Sequence, residues 1–393
     1  MSSDTTANVS FTTCTSYEPE ALRNAIEQLL TPLGGISAFV TPGCRVLVKP
    51  NMLTDSPPEE AVTTHPEVLR QVLRLLKSAG AEVVVADSPA FAANVERVWQ
   101  VTGILDVCNE ERVPLRRMEA AKFTTLMRDG ITFKVSNLAL HNDLIINLPK
   151  VKTHSLTVLT AAVKNFYGTI PGQLKTELHK TYSQPLRFGA LIRSVCQAMP
   201  PSLTIADAIL AMEGEGPSSG KPIALNFMAA SADPFALDLT LCDVLRINPE
   251  RVPYLTGMSR RPAYTSLAVH GEQPEVKRFR LPRHTQQATF SLLPGSLVRL
   301  VGKFIWVRPS FSSACVRCGK CVTACPVEAL SLPANNTRPR LKAKTCIGCC
   351  CCHEVCPARA ITMRPSLLLR IARRSSSFSH RSVTTNAGSS TRS

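Results

Sequence analysis

The chain has 393 residues, 44% of them hydrophobic, enough for two or three domains with a sizeable core. Lys and Arg outnumber Asp and Glu by 45 to 29, a formal net charge of +16, and much of the excess follows residue 250. That balance suits acidic partners or a membrane surface; with five tyrosines, two tryptophans and no basic–aromatic interleaving, nucleic acid is not an expected partner.

The opening MSSDTTANVSFTT has neither the basic region nor the apolar core of a secretory leader, so a reducing, cytoplasmic compartment is expected. RVLVKP (45–50) reads as a short buried strand. TTHPEVLRQVLRLLKSAG (63–80) follows as an amphipathic helix, with Thr64 and Glu67 as a capping box, Pro66 in the first turn and Gly80 as the stop. AEVVVADSP (81–89) completes a strand–helix–strand unit with a right-handed crossover. DLIINLP (143–149) and SLTIADA (202–208) read as two further buried strands. The fold class is therefore α/β, a layered and mainly parallel sheet over residues 1–256, followed at 312–365 by a smaller α+β domain whose two C-x2-C-x2-C-x3-C runs are those of a ferredoxin-like two-cluster domain.

Between them, 257–311 reads as a basic, Pro-rich connector, and 366–393 as a basic, disordered tail. No run of eighteen uncharged apolar residues occurs, so no membrane-spanning helix is expected. The nearest approach, FSLLPGSLVRLVGKFIWV (290–307), is broken by Pro294, Arg299 and Lys303. It reads as a connector packed on the main domain, or as a peripheral membrane contact.

The predicted strands all end in polar residues: Lys49 and Asn51; Asp87 and Ser88; Lys150, Lys152 and His154; Asp207. The carboxyl edge of an open parallel sheet is where ligands bind, so these ends are expected to line one crevice.

Ten of the 15 cysteines lie between Cys315 and Cys356; the other five are expected to be small buried apolar residues. Cys315, Cys318, Cys321 and Cys325 form C-x2-C-x2-C-x3-C before Pro326, and Cys346, Cys349, Cys352 and Cys356 repeat it before Pro357. This run holds cubane clusters in two-cluster ferredoxins, where the fourth cysteine serves the other cluster. One 4Fe-4S cluster is thus expected on Cys315, Cys318, Cys321 and Cys356, and the second on Cys346, Cys349, Cys352 and Cys325. Cys350 and Cys351 fall at variable positions, and Gly319 and Gly348 permit close backbone approach.

VLVKPNM, TTHPEVL, INLPKVKTHSLTVLTAAVKNFYG and DAILAMEGEGPSSG resemble the family of the domain of unknown function 362, many members of which carry a C-terminal module of this kind. The resemblance implies an iron–sulfur protein, often presumed a redox enzyme, without a settled reaction. Its motif positions are Lys49, Asn51, Thr64, His65, Lys150, Lys152, His154, Lys164, Asn165, Asp207, Glu213 and Gly216. One departure stands out: AFAANVERV follows DSP (87–89) where glycine-rich sequence is expected.

Lys150, Lys152, Lys164 and Asn165, with Lys49 and Asn51, suit a carboxylate, a phosphate or an anion developing during reduction. In K-V-K-T-H the first, third and fifth residues share a face if extended. Beyond them Leu156, Leu159, Val163 and Phe166 recur at helical spacing, a core stripe with Lys164 one residue off it. His154 is the best candidate for moving a proton. Asp207 and Glu213, with Glu215, offer an acid/base or metal pair, and EGEGPSSG is either a lid or an ordinary acidic turn. No dinucleotide fingerprint or P-loop is present. The expected function is an iron–sulfur oxidoreductase passing electrons to an anionic small molecule; the alternative is an accessory protein docking an electron donor or acceptor protein, without chemistry of its own.

Overall fold

The computed structural model describes residues 7–283, 306–335 and 338–367. Strands are numbered β1 (Asn8–Thr13), β2 (Arg45–Pro50), β3 (Glu82–Asp87), β4 (Leu115–Arg117), β5 (Phe123–Arg128), β6 (Ile131–Ser136), β7 (Leu144–Leu148), β8 (Lys150–His154), β9 (Val158–Thr160), β10 (Ser202–Glu213), β11 (Lys221–Ser231) and β12 (Ala268–His270). All but β5 and β6, which pair with each other, join one sheet in the order β12-β1-β11-β10-β7-β2-β3-β4, with β8 against β10 and β9 against β8.

The strands β10, β7, β2, β3 and β4 are mutually parallel. All but the edge strand β4 (LRR) are near-continuous apolar runs because both faces are covered. Leu47, Ala86 and Ile145 point into one core; Val46, Val48, Val85 and Ile146 point into the other. The second core is closed by helix Pro66–Ser78, which buries Val68, Leu69, Val72, Leu73 and Leu76.

Four expectations change. The Thr64–Glu67 capping box does not form: Thr64 is fully buried, and its Oγ1 donates to Leu148 O (2.5 Å) and accepts from Asn51 N (2.8 Å). His65 caps the helix instead, its Nδ1 accepting from Glu67 N at 3.2 Å. The stripe 156–166 is not one helix, since β9 turns back on β8 before the short helix Ala162–Asn165 begins. The segment SLTIADA continues to Glu213, past a register shift between Ala208 and Leu210, and pairs antiparallel with β11. Finally, the stretch 257–311 is not all connector: β12 pairs with β1, and 307–311 belongs to the cysteine module. Residues 284–305, with most of the apolar stretch 290–307, and the tail from 368 lie outside the described residues.

In the module, β13 (Val307–Phe311) pairs with β16 (Ile361–Pro365), and β14 (Leu330–Ser331) with β15 (Arg340–Leu341). The sequence repeat is a backbone repeat. Positive φ recurs at Arg317 and Gly348, and at Gly319 and Cys350, before the short helices Lys320–Thr323 and Cys351–Glu354. Cys350 thus occupies the left-handed slot that glycine fills in the first repeat. Four contacts dock the module on the large domain: Lys320–Asp55 (3.1 Å), Arg359–Glu60 (2.8 Å), His154–Glu354 (3.2 Å) and Ser218 Oγ donating to Glu354 O (2.7 Å).

Candidate functional site

The module's ten cysteines sort into two rings of four, with Cys350 and Cys351 next to the second. Cys315, Cys318, Cys321 and Cys356 line one cavity with Phe311, Val316 and Ile361. Cys325, Cys346, Cys349 and Cys352 line a second with Leu330, Leu341 and Met363, and Cys350 lines it too. In each, the fourth cysteine of one repeat joins three from the other, the partition the spacing predicts. Ala329 N donates to Cys325 Sγ (3.2 Å) and Ala360 N to Cys356 Sγ (3.3 Å), the kind of bond that steadies a thiolate ligand. Among the described residues, no three His, Cys, Asp or Glu side chains converge on a point as for one metal ion. Thiolates ringing an apolar volume fit a cubane.

A second feature joins the two domains. A cavity of about 90 Å³ opens at the carboxyl ends of β2 and β3. Its large-domain walls carry Lys49, Asn51, Asp87, Lys164, Asn165 and Lys175; its opposite wall is Ala324, Cys351, Glu354 and Val355 of the module. Cys351, left open by sequence, therefore faces this crevice beside the second ring.

Lys49 is fully buried and paired with Asp87 at 2.7 Å. Gly168 stands against that pair, where a Cβ would lie 2.1 Å from Asp87 Oδ1 and 2.6 Å from Lys49 Nζ. Asn51 Nδ2 donates to Asn165 Oδ1 (3.1 Å), and Asn165 Nδ2 to Asn147 Oδ1 (2.8 Å), tying β2 to the helix that presents Lys164. The Lys164 ammonium lies over the Tyr167 ring, 5.8 Å from its centroid, and no ion pair among the described residues holds it. Burial lowers its pKa, with Glu354 and Cys351 opposing. Burial brings Lys175 down to about 8, opposed by Asp87 and Glu119. Thr160 Oγ1 and His179 Nδ1, both on residues lining the crevice, find no hydrogen-bond partner among the described residues.

Other predicted site residues lie behind this wall. The register of β8 against β10 sets Lys150 opposite Asp207, and the two form a fully buried ion pair. Asp207 also accepts from Tyr17 Oη (2.8 Å) and His65 N (3.1 Å), so the pair is a structural knot rather than part of the cavity lining. Lys152 reaches the crevice only through Asn51, donating to its Oδ1 at 3.1 Å and to Val62 O.

His154 lies behind the lining as well. Its Nδ1 accepts from Leu156 N (3.0 Å) and Thr157 N (3.3 Å), leaving Nε2 to carry the proton and face Glu354. Burial, with Lys164 and Lys152 nearby, drives it down to about 3. It is a neutral anchor for the module, not the proton carrier its sequence position implied. Burial alone would raise Glu354, but His154, Lys164 and His179 hold it at about 2, ionised.

Glu213 and Glu215 belong elsewhere. Glu213 accepts from Arg280 N (2.8 Å) and Glu215 from Arg283 N (2.9 Å), along a separate cavity that shares no residue with the crevice. The EGEGPSSG loop is neither lid nor simple turn, because Gly216 O accepts from Ser155 N (3.0 Å) while Ser218 grips the module.

Lys175, Tyr167, His179 and Thr160 escaped the sequence reading. Lys175 and His179 are four residues apart in helix Gly172–Thr181, a one-face spacing that would have flagged them. Ala90 and Phe91, in the segment that departs from the glycine-rich expectation, form part of the wall.

Comparison with known proteins agrees with this layout. The model of the domain of unknown function DUF362 matches residues 46–243, and that of a 4Fe-4S binding domain matches 311–331. "Thylakoid-associated protein sll1697" of Synechocystis sp. is 34% identical over 292 residues, covering 72% of this chain and 91% of that protein. The lactate racemase apoprotein from Thermoanaerobacterium thermosaccharolyticum is 14% identical over 61% of this chain and 57% of its own, with a TM-score of 0.39. No helix among the described residues is long and apolar enough to cross a membrane. The chain belongs to the DUF362 family and carries an iron–sulfur domain of the 4Fe-4S type.

Proposed function

We propose that this protein is an iron–sulfur oxidoreductase that reduces or oxidises a small anionic molecule in the crevice between its domains. Two 4Fe-4S clusters, on the two cysteine rings, would supply or accept electrons one at a time. The observation that carries the reading is the shared wall: Cys351 and Glu354, next to ring cysteines, face Lys164 and Lys175 across one cavity.

Lys164 holds the anion, as the lining ammonium that no ion pair or hydrogen bond holds among the described residues, whereas Lys175 donates to Ser88 O and Pro89 O. Thr160 Oγ1 and His179 Nδ1 orient it by hydrogen bonds. Lys175, at about 8, is the lining group able to exchange a proton near neutral pH. Lys49, neutralised by Asp87, shapes the floor. His154 fixes the module so that its wall stays in register.

The test uses anaerobically reduced protein mixed with pools of small carboxylates and phosphates, following cluster absorbance. Reoxidation by at least one pool is expected. Lys164→Ala should slow it at least about tenfold, the loss of roughly one charge-assisted hydrogen bond, with Lys164→Arg retaining part. Reoxidation indifferent to every pool and to Lys164 would contradict the reading.

A second reading draws support from the relative whose name places it on thylakoids: an accessory electron carrier at a membrane face of a reducing, cytoplasmic-type compartment, with no nucleic-acid partner. There Lys164→Ala would leave electron flow unchanged.

A further inference from the structure

The two cysteine rings differ in exposure. Cys349 and Cys352 of the second ring are buried, and Cys351 beside them turns toward the crevice. In the first ring Cys318 is exposed and Cys315 partly so. Val316, between them, is 65% exposed, an apolar side chain at the protein's edge with no covering element among the described residues.

The rim of this edge is basic. Arg317 reaches the Pro333 and Ala334 carbonyls (3.4 and 3.3 Å), and Arg338 reaches Phe311 O (3.5 Å), so both guanidinium groups flank the first ring. Residues 306–367 contain nine Lys and Arg against only Glu328 and Glu354. Lys320 and Arg359 are committed to Asp55 and Glu60 at the domain junction, so the charge at this edge is that of Arg317 and Arg338, on a module whose net charge is positive.

We infer that the Cys315–Cys318 edge is the docking surface for an acidic one-electron carrier protein. An apolar contact directly over the ring, inside a cationic rim, is the arrangement by which electrostatic steering brings two redox centres together in a short-lived complex. One electron crosses per encounter: the carrier loses it, this protein gains it, or the reverse, and no bond forms or breaks. The proposal rests on the two-cluster reading and gives the module a direction, with one ring outward to the carrier and the other inward to the crevice.

The experiment uses the full holoprotein and an acidic flavodoxin, with electron exchange followed by stopped flow in the downhill direction. The expected result is a rate that falls about tenfold or more as salt is raised from low to high, as screening of opposite charges requires. Arg317→Glu/Arg338→Glu should slow exchange by a similar factor and flatten its salt dependence. Photoreduction by neutral 5-deazaflavin, and the cluster EPR signal, should not change. Arg338→Glu alone, with a smaller effect of the same sign, serves if Arg317→Glu disturbs its loop. Salt-independent exchange, or variants that exchange as fast as the parent, would overturn the proposal. So would basic residues that prove to serve anionic phosphatidylglycerol vesicles while leaving exchange untouched. Normal EPR with failed docking would sink this surface alone; missing clusters would sink the reading beneath it.

Discussion

Replacing Asp207 with alanine is expected to destabilise the protein by about 3–5 kcal/mol, seen as a large fall in its urea midpoint. Asp207 is fully buried and takes three donors, from Lys150, Tyr17 Oη and His65 N. Without it the Lys150 ammonium, also fully buried, keeps only Tyr17 Oη (3.2 Å) and Leu210 O (3.1 Å), both uncharged. The cost comes from an uncompensated buried charge more than from a lost contact. The double variant Asp207→Ala/Lys150→Met should therefore recover much of the loss, since it removes both charges. A catalytic Asp207 makes the opposite forecast: near-normal stability with lost turnover. An unchanged urea midpoint for Asp207→Ala would refute the structural role.

Gly168→Ala is expected to disable the crevice while leaving both cysteine rings intact. The new Cβ would overlap Asp87 Oδ1 and Lys49 Nζ, and neither side chain is free to retreat: Lys49 is fully buried, and Asp87 Oδ2 already accepts from Met52 N at 2.8 Å. Overpacking of this kind costs about 1–3 kcal/mol. Displacing Asp87 also moves the floor beneath Lys164 and shifts Ser88, whose N–H donates to Gly168 O at 3.2 Å. Iron and sulfide content should match the parent, whereas anion-dependent reoxidation should fall at least about tenfold. A variant with parental reoxidation would show that the Lys49–Asp87 floor does not shape the ligand site.

What was legible in the sequence follows from how local each signal is. Strand β2 was bounded correctly because its apolar run is buried on both faces, and the grouping of cysteines around two cavities was readable because their spacing is fixed within two short segments. Strand β1 is as long as β2 but reads NVSFTT, with only Val9 and Phe11 apolar, β12 has three residues, and β11 is buried only in its second half, so none carries a strong pattern. The fate of Thr64 shows the limit of motif reading: a burial site next to Leu148 claimed its hydroxyl before the helix could.

The crevice was half legible. Strand ends supplied Lys49, Asn51 and Asp87, but which lysine of β8 meets a carboxylate is decided by register. Lys150 is opposite Asp207 across β8 and β10, while Lys152 finds only Asn51 Oδ1 and Val62 O, and nothing in K-V-K-T-H distinguishes those outcomes. The second wall was illegible because it is tertiary: Glu354 lies 200 residues from His154, and only docking of the module brings them together. For the same reason His154, the obvious proton carrier in the sequence, is an anchor in the fold.

The most direct test of the central claim is iron and acid-labile sulfide content, with low-temperature EPR of dithionite-reduced protein prepared without oxygen. The account predicts about eight irons and eight sulfides per chain and a spin-coupled spectrum from two neighbouring cubanes. Four irons, or zinc in their place, would contradict it, because electrons would then have no continuous route from the exposed ring to the crevice.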